Sequence, residues 1–183
     1  MRHAIIGALL IAAVSTLGDF VWAGLHLRHR VVYGLAHGAI LFLCMGAYFG
    51  SLQQKTLIGA LYGVATGLVA AGSFYLLAPF AGYSVMFFVW AFVWIALAIL
   101  VASAFAASPL RRGRLAGGWT WNETLMRGVL AMIGSGFGFY LISDIWRPFN
   151  PHGWDYGVHF LSWTIAYLPG FFALLGPWPT LRR

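Results

Sequence analysis

No Asp, Glu, Lys or Arg occurs between Thr56 and Leu110, where the sequence reads TLIGALYGVATGLVAAGSFYLLAPFAGYSVMFFVWAFVWIALAILVASAFAASPL. About 20 consecutive apolar residues are enough for a helix to cross the hydrocarbon core of a bilayer. This run is long enough for two crossings, and Pro79 and Gly82 mark a break between them. The stretch therefore predicts a pair of helices inside a membrane.

The rest of the chain has the same character. Its 183 residues are 61% hydrophobic and only 8% charged, whereas an average soluble domain is roughly 25% charged. The net charge of +7 would suit a protein that binds nucleic acid, but the basic residues stand at the ends of apolar segments rather than along one face. We therefore predict an all-α, polytopic integral membrane protein of the cell membrane, with the lipid bilayer as its partner and no nucleic acid.

Apolar runs separated by turn and charge signals predict one domain, a bundle of six transmembrane helices. The first run ends in small residues that suit a signal-peptide cleavage site, but we expect it to be retained as the first helix. Eight Lys and Arg residues fall on one side of the predicted membrane and three on the other, which places both termini in the cytoplasm. The predicted spans are residues 4–25, 31–51, 56–78, 83–107, 124–145 and 156–176.

Two local patterns refine this scheme. Thr120 and Glu123 have the spacing of a capping box at the start of the fifth helix. Glycines recur four residues apart, most clearly at Gly59, Gly63 and Gly67, and such stripes let membrane helices approach closely. We expect the third helix to be central or to lie on a seam with a second copy or a membrane-complex partner, unless its glycines only reflect the general abundance of Gly in membrane helices.

Ionisable and aromatic residues gather on the predicted outer side, where charge is otherwise scarce. Such groups within a membrane usually pair with one another or mark function. Imidazole and carboxylate are also natural ligands for metals such as zinc, copper and iron. The candidate metal-ligating residues are His26, His29, His37, His152 and His159. The candidate ligand-binding residues are Asp19, Trp90, Asp144, Trp154, Asp155 and Tyr156.

Structural roles compete with these assignments. Asp155 precedes the predicted sixth helix and suits an N-cap, and Asp19 could pair with Arg28 or Arg30. The aromatic run Phe87–Trp94 either forms the wall of a pocket for a porphyrin, quinone or lipid chain, or packs in the core.

His37 and His159 are predicted to meet beneath the outer loops. Each follows a Tyr-Gly pair by a few residues and enters its helix from the same side. A buried imidazole needs a partner, so we expect the two to share a metal ion, a haem iron or a carboxylate.

No HExxH, P-loop, GxSxG, CxxCH or dinucleotide fingerprint occurs, so the sequence leaves enzymatic activity undecided. We predict a site toward the outer leaflet that binds a small ligand, a metal ion or haem. Two alternatives stay open: a transporter or channel with a proton or cation path through Asp19 and the histidines, and a cofactor-free subunit of a larger membrane complex.

Overall fold

The computed structural model describes residues 1–25, 30–106, 119–142 and 153–177. Within these ranges the chain forms six α-helices and no strand, which confirms the predicted all-α class. A short 3-10 turn, Gly82–Ser84, connects the third and fourth helices. The helices are α1 (Arg2–Leu25), α2 (Arg30–Ser51), α3 (Thr56–Ala81), α4 (Val85–Ala106), α5 (Trp121–Ile142) and α6 (Gly153–Leu175).

Five of the helices in these ranges, all except α5, are long and apolar enough to cross a membrane. The first two turns of α5 carry Asn122, Glu123 and Arg127, which lowers its mean hydropathy. A multi-pass membrane protein is therefore compatible with the fold. The sixth crossing and the cytoplasmic placement of both termini stay predictions.

The helices form a closed ring in chain order. Each helix contacts the next along the chain, and α6 returns to contact α1. The interior is supplied mainly by α4 and α6, whose Trp94, Tyr167 and Phe171 are fully buried. Among the described α-helices, α3 contacts only α2 and α4, and it exposes Leu57 and Leu76 on its outer face. The prediction of a central third helix is therefore wrong.

The glycines of α2 and α3 bring these two backbones into direct contact. A Cβ atom built on Gly63 would overlap the carbonyl oxygen of Phe42, and one built on Gly59 would overlap that of Gly46. A Cβ on Gly50 would lie 2.6 Å from the carbonyl oxygen of Lys55. These glycines therefore pack within the chain, and the predicted seam with another subunit stays a prediction.

The ends of the helices agree with local sequence rules in some places and depart from them in others. The amide of Thr120 donates to Glu123 Oε2 at 2.9 Å, and the amide of Glu123 donates to Thr120 Oγ1 at 3.2 Å, which confirms the capping box. Helix α3 continues past Pro79, because a proline in the last turn breaks only one backbone hydrogen bond. It ends at Gly82, whose φ of 63° suits glycine.

Helix α6 begins earlier than predicted, at Gly153. Asp155 consequently lies inside the first turn, so its prediction as the N-cap is wrong. A carboxylate in this turn still interacts favourably with the helix dipole.

Arg127 holds α5 against the end of α6. Its side chain is buried, and Nη1 donates to the carbonyl oxygens of Ala173 at 3.1 Å, Leu174 at 3.5 Å and Gly176 at 3.3 Å. Its guanidinium carbon lies 4.4 Å from the centroid of the Trp119 ring. The last turn of a helix leaves carbonyl groups without partners, and this cation satisfies those of Ala173 and Leu174.

Candidate ligand-binding site

Asp19 on α1 connects to two residues of α6. Its Oδ2 accepts a hydrogen bond from Trp163 Nε1 at 2.6 Å and lies 3.2 Å from His159 Nδ1. His159 and Trp163 stand one helical turn apart on the same face, which lets one carboxylate oxygen reach both. In the part of the chain that the structure describes, Asp19 pairs with His159 rather than with Arg30.

His37 approaches the same place from α2. Its imidazole occupies the space that a side chain at position 18 would fill, since a Cβ on Gly18 would overlap its Cε1 and Nδ1 atoms. Gly18 is the immediate neighbour of Asp19. No hydrogen bond joins His37 to another residue in the described ranges, so a ligand shared with His159, whose Nδ1 contacts Asp19, stays a prediction.

Asp19, His37 and His159 lie at one depth. They are six or seven residues from Leu25, Arg30 and Gly153, the helix ends at one side of the bundle, which we call the site end. At 1.5 Å per residue this depth is about 9–10 Å. Three ionisable groups therefore converge at one level of an otherwise apolar bundle.

A cleft with a volume of ≈ 190 Å³ lies beside His37, and we call it the aromatic cleft. Trp90, Phe139 and Trp163 line one wall, and Gly38 and Gly67 line the side formed by α2 and α3. The cavity exists because the glycines have no side chains, and the aromatic rings form its opposite wall.

The other polar side chains that line the aromatic cleft are already hydrogen-bonded. Trp163 donates to Asp19, Trp90 Nε1 donates to Ser135 Oγ at 3.2 Å, and the Tyr75 hydroxyl donates to the carbonyl of Arg30 at 3.0 Å. Among the described lining residues, only His37 has polar side-chain atoms without a hydrogen bond.

The aromatic wall is held from several sides. The ring of Trp90 lies 4.9 Å from Phe139 and 5.6 Å from Tyr167, centroid to centroid, and Trp163 stacks on Tyr167 at 5.3 Å. The buried hydroxyl of Tyr167 lies 2.9 Å from Ser15 Oγ. The rings therefore have little freedom, and the cleft is largely preformed.

The predicted aromatic run Phe87–Trp94 does not form a wall as a whole. Trp90 lines the cleft and Trp94 is buried in the core, but Phe87 and Phe88 are 56% and 70% exposed on the outer surface. A helix turns 100° per residue, so consecutive rings cannot all face inward.

The remaining predicted site residues lie in different surroundings. Tyr156 stacks on Phe20 with a centroid distance of 3.4 Å, and Phe20 contacts His159 edge-on at 5.6 Å. Asp155 is half-buried in the first turn of α6. The candidates outside the described residues are His26, His29, Asp144, His152 and the side chain of Trp154.

In the four described ranges, no group of three or more His, Cys, Asp or Glu side chains is arranged to hold a metal ion. The aromatic cleft is also smaller than the ≈ 300–1,000 Å³ that is usual for ligand pockets, which disfavours a porphyrin. The predicted metal or haem site therefore finds no support among these residues.

Trp163 is a site residue that sequence-based prediction missed. Its spacing of four residues from His159 was the available signal, because that spacing puts both side chains on one helix face. Nothing in the sequence paired this face with Asp19.

No protein-family model, curated protein or solved structure matches this chain. The candidate site therefore rests on the geometry of its own residues.

Proposed function

We propose that this chain is an integral membrane protein that binds a small amphiphilic ligand in the aromatic cleft, with His37 as its polar contact. The observation that carries the proposal is the position of His37, an imidazole without a described hydrogen bond beside an apolar, aromatic-walled cavity. His37 is half-buried, and a polar group kept from water without a partner costs up to about 1–3 kcal/mol. A ligand hydroxyl or carbonyl would satisfy it.

The cleft favours a particular ligand shape. Its volume of ≈ 190 Å³ admits a small molecule or only the head of a larger one. Rings of Trp90, Phe139 and Trp163 favour a flat or unsaturated group through offset or edge-on contacts. Imidazole can donate at one nitrogen and accept at the other, so an uncharged ligand with a hydroxyl or carbonyl suits it.

The Asp19–His159 pair supports the proposal by holding the site in place. Through Asp19 it ties α1 to α6, and Asp19 in turn fixes Trp163 in the cleft wall. His37 packs on Gly18 next to it. The polar contact and the aromatic wall are thereby positioned by one small network.

Quenching of tryptophan fluorescence by a short-chain naphthoquinone tests the proposal, because Trp90 and Trp163 line the cleft. We expect saturable quenching, and we expect His37→Ala to weaken binding about tenfold. His37→Gln keeps a hydrogen-bonding group and should retain part of the affinity. His3→Ala, at the exposed far end of α1, is the matched control and should bind like the unmodified protein. Unsaturable quenching, or equal affinity in His37→Ala, would contradict the proposal.

A proton or cation path is a second candidate function, favoured by the convergence of Asp19, His37 and His159 at one depth. Carboxylate and imidazole chains carry protons in membrane proteins. Proteoliposomes with a pH-sensitive dye inside would reveal a flux that Asp19→Asn abolishes. Unchanged flux in that variant, or none in the unmodified protein, would exclude this function.

A further inference from the structure

A second cleft, with a volume of ≈ 460 Å³, runs between α1 and α2, and we call it the α1–α2 groove. His37 and Leu41 line both this groove and the aromatic cleft, so they form the wall between the two. Of the neighbouring helix pairs in the ring, α1 and α2 make the loosest contact. The groove lies along this weak seam.

The dimensions of the groove suit one hydrocarbon chain. Its lining on α2 runs from Tyr33 to Cys44, which at 1.5 Å per residue is about 16 Å. That length is about half of a ~30 Å hydrocarbon core, or one leaflet.

The apolar lining of the groove also suits a hydrocarbon chain. Most of its lining is aliphatic, Ala or Gly, and it opens toward the surface where Leu17, Val21 and Ile40 are 61%, 56% and 59% exposed. At the site end, the exposed Arg30 stands one turn before Tyr33, where the groove begins. An apolar groove one leaflet long with a cation at its end matches an anionic headgroup carrying an acyl chain.

We infer that the α1–α2 groove holds one acyl chain of an anionic phospholipid, with the phosphate beside Arg30 and the chain extending from Tyr33 to Cys44. The inference goes beyond the proposed ligand of the aromatic cleft and does not depend on it. A bound lipid in this position covers the seam between α1 and α2 and packs against the outer side of His37.

Photo-crosslinking tests the inference. The protein is reconstituted in phosphatidylcholine vesicles that contain a trace of phosphatidylglycerol with a diazirine in its acyl chain, and the labelled peptides are mapped after illumination. We expect adducts to concentrate between Val14 and Val21 and between Tyr33 and Cys44. We also expect stronger labelling than with phosphatidylcholine that carries the same diazirine.

Two variants sharpen the experiment. Ala36→Phe fills the groove and should remove most of the adducts there, whereas Ala65→Phe, at an exposed alanine of α3 outside both clefts, should leave them unchanged. Arg30→Gln removes an exposed charge and should lower the preference for phosphatidylglycerol about fivefold.

Three results would overturn the inference: adducts spread evenly over the exposed faces of all helices, equal labelling by the two lipids, or full labelling in Ala36→Phe. If Ala36→Phe does not fold, the loss or retention of lipid preference in Arg30→Gln decides the question. A loss of naphthoquinone binding with unchanged crosslinking would bear on the aromatic cleft alone. A loss of crosslinking with unchanged naphthoquinone binding would bear on the α1–α2 groove alone, so the two proposals can fail separately.

Discussion

The indole Nε1–H of Trp163 donates to Oδ2 of Asp19 at 2.6 Å and joins α6 to α1 across 144 residues of sequence. The same oxygen lies 3.2 Å from His159 Nδ1. A hydrogen bond is electrostatically stronger where water is scarce. This contact closes the helix ring at the site end and sets one wall of the aromatic cleft.

Asp19 and His159 should be energetically coupled. In a double-mutant cycle with Asp19→Ala and His159→Ala, we expect the two losses in the free energy of unfolding to be non-additive by about 0.5–3 kcal/mol, because each substitution removes the same contact. Unfolding by sodium dodecyl sulfate in mixed micelles measures these energies. Asp19→Ala combined with Ser103→Ala, near the end of α4, is the control and should be additive. Additive losses for Asp19 and His159 would show that the pair is not coupled.

Gly63→Ala should destabilise the protein by about 1–3 kcal/mol, because its Cβ would overlap the carbonyl oxygen of Phe42 and force α2 and α3 apart. Gly72→Ala in the same helix is the matched control. Its Cβ would meet only Leu35 Cδ2 at 4.0 Å, so the gain in helix propensity should leave stability equal or higher. Thermal unfolding in detergent compares the two. Equal losses would show that the close approach of α2 and α3 is not important for stability.

Trp90→Phe should cost more stability than Trp94→Phe, by about 1 kcal/mol. Both rings are buried, but Trp90 Nε1 donates to Ser135, whereas Trp94 Nε1 is buried without a partner among the described residues. Replacing Trp94 loses ring volume and also relieves an unsatisfied donor. The free energies of unfolding of the two variants provide the comparison, and the opposite order would argue for an unseen partner of Trp94.

Arg127→Met should loosen the end of α6, because three carbonyl groups lose a charged donor. Hydrogen bonds to charged groups contribute about 1.5–3 kcal/mol. Hydrogen–deuterium exchange should therefore quicken in the last turn of α6 and in Gly176. Arg2→Met, at an exposed arginine, controls for the loss of charge and should leave this exchange unchanged. Unaltered protection in Arg127→Met would contradict the capping role.

Cysteine labelling tests the predicted orientation. Ser51, the last residue of α2, and Ser84, just after α3, are exposed serines that flank α3 on opposite sides, and the native Cys44 is first replaced by Ala. With both termini in the cytoplasm, a membrane-impermeant thiol reagent added to intact cells should label Ser84→Cys but not Ser51→Cys. The reverse pattern would invert the topology.

The helices and their ends followed largely from local sequence. Long apolar runs predict helices because a chain in hydrocarbon must satisfy its own backbone hydrogen bonds. All six helix starts lie within three residues of the predicted ones, and the capping box at Thr120 is confirmed. Asp155 is an exception. It was predicted as the N-cap of α6, but the helix begins two residues earlier, at Gly153. A helix start at Gly153 and one just after Asp155 both agree with local sequence rules, so only the packing of the rest of the fold could decide between them.

By itself, the sequence determined that this protein is a set of apolar helices with a few ionisable groups near one end, since composition and run length depend on no distant contact. Only the tertiary structure decided which groups meet. Helix α4 is apolar on all sides, so its pattern could not distinguish Trp90, which faces inward, from Phe88, which faces outward. Likewise, Asp19 and His159 are 140 residues apart, and nothing local to either predicts the other. Their contact arises because the ring closes through α1 and α6, which depends on how all six helices pack.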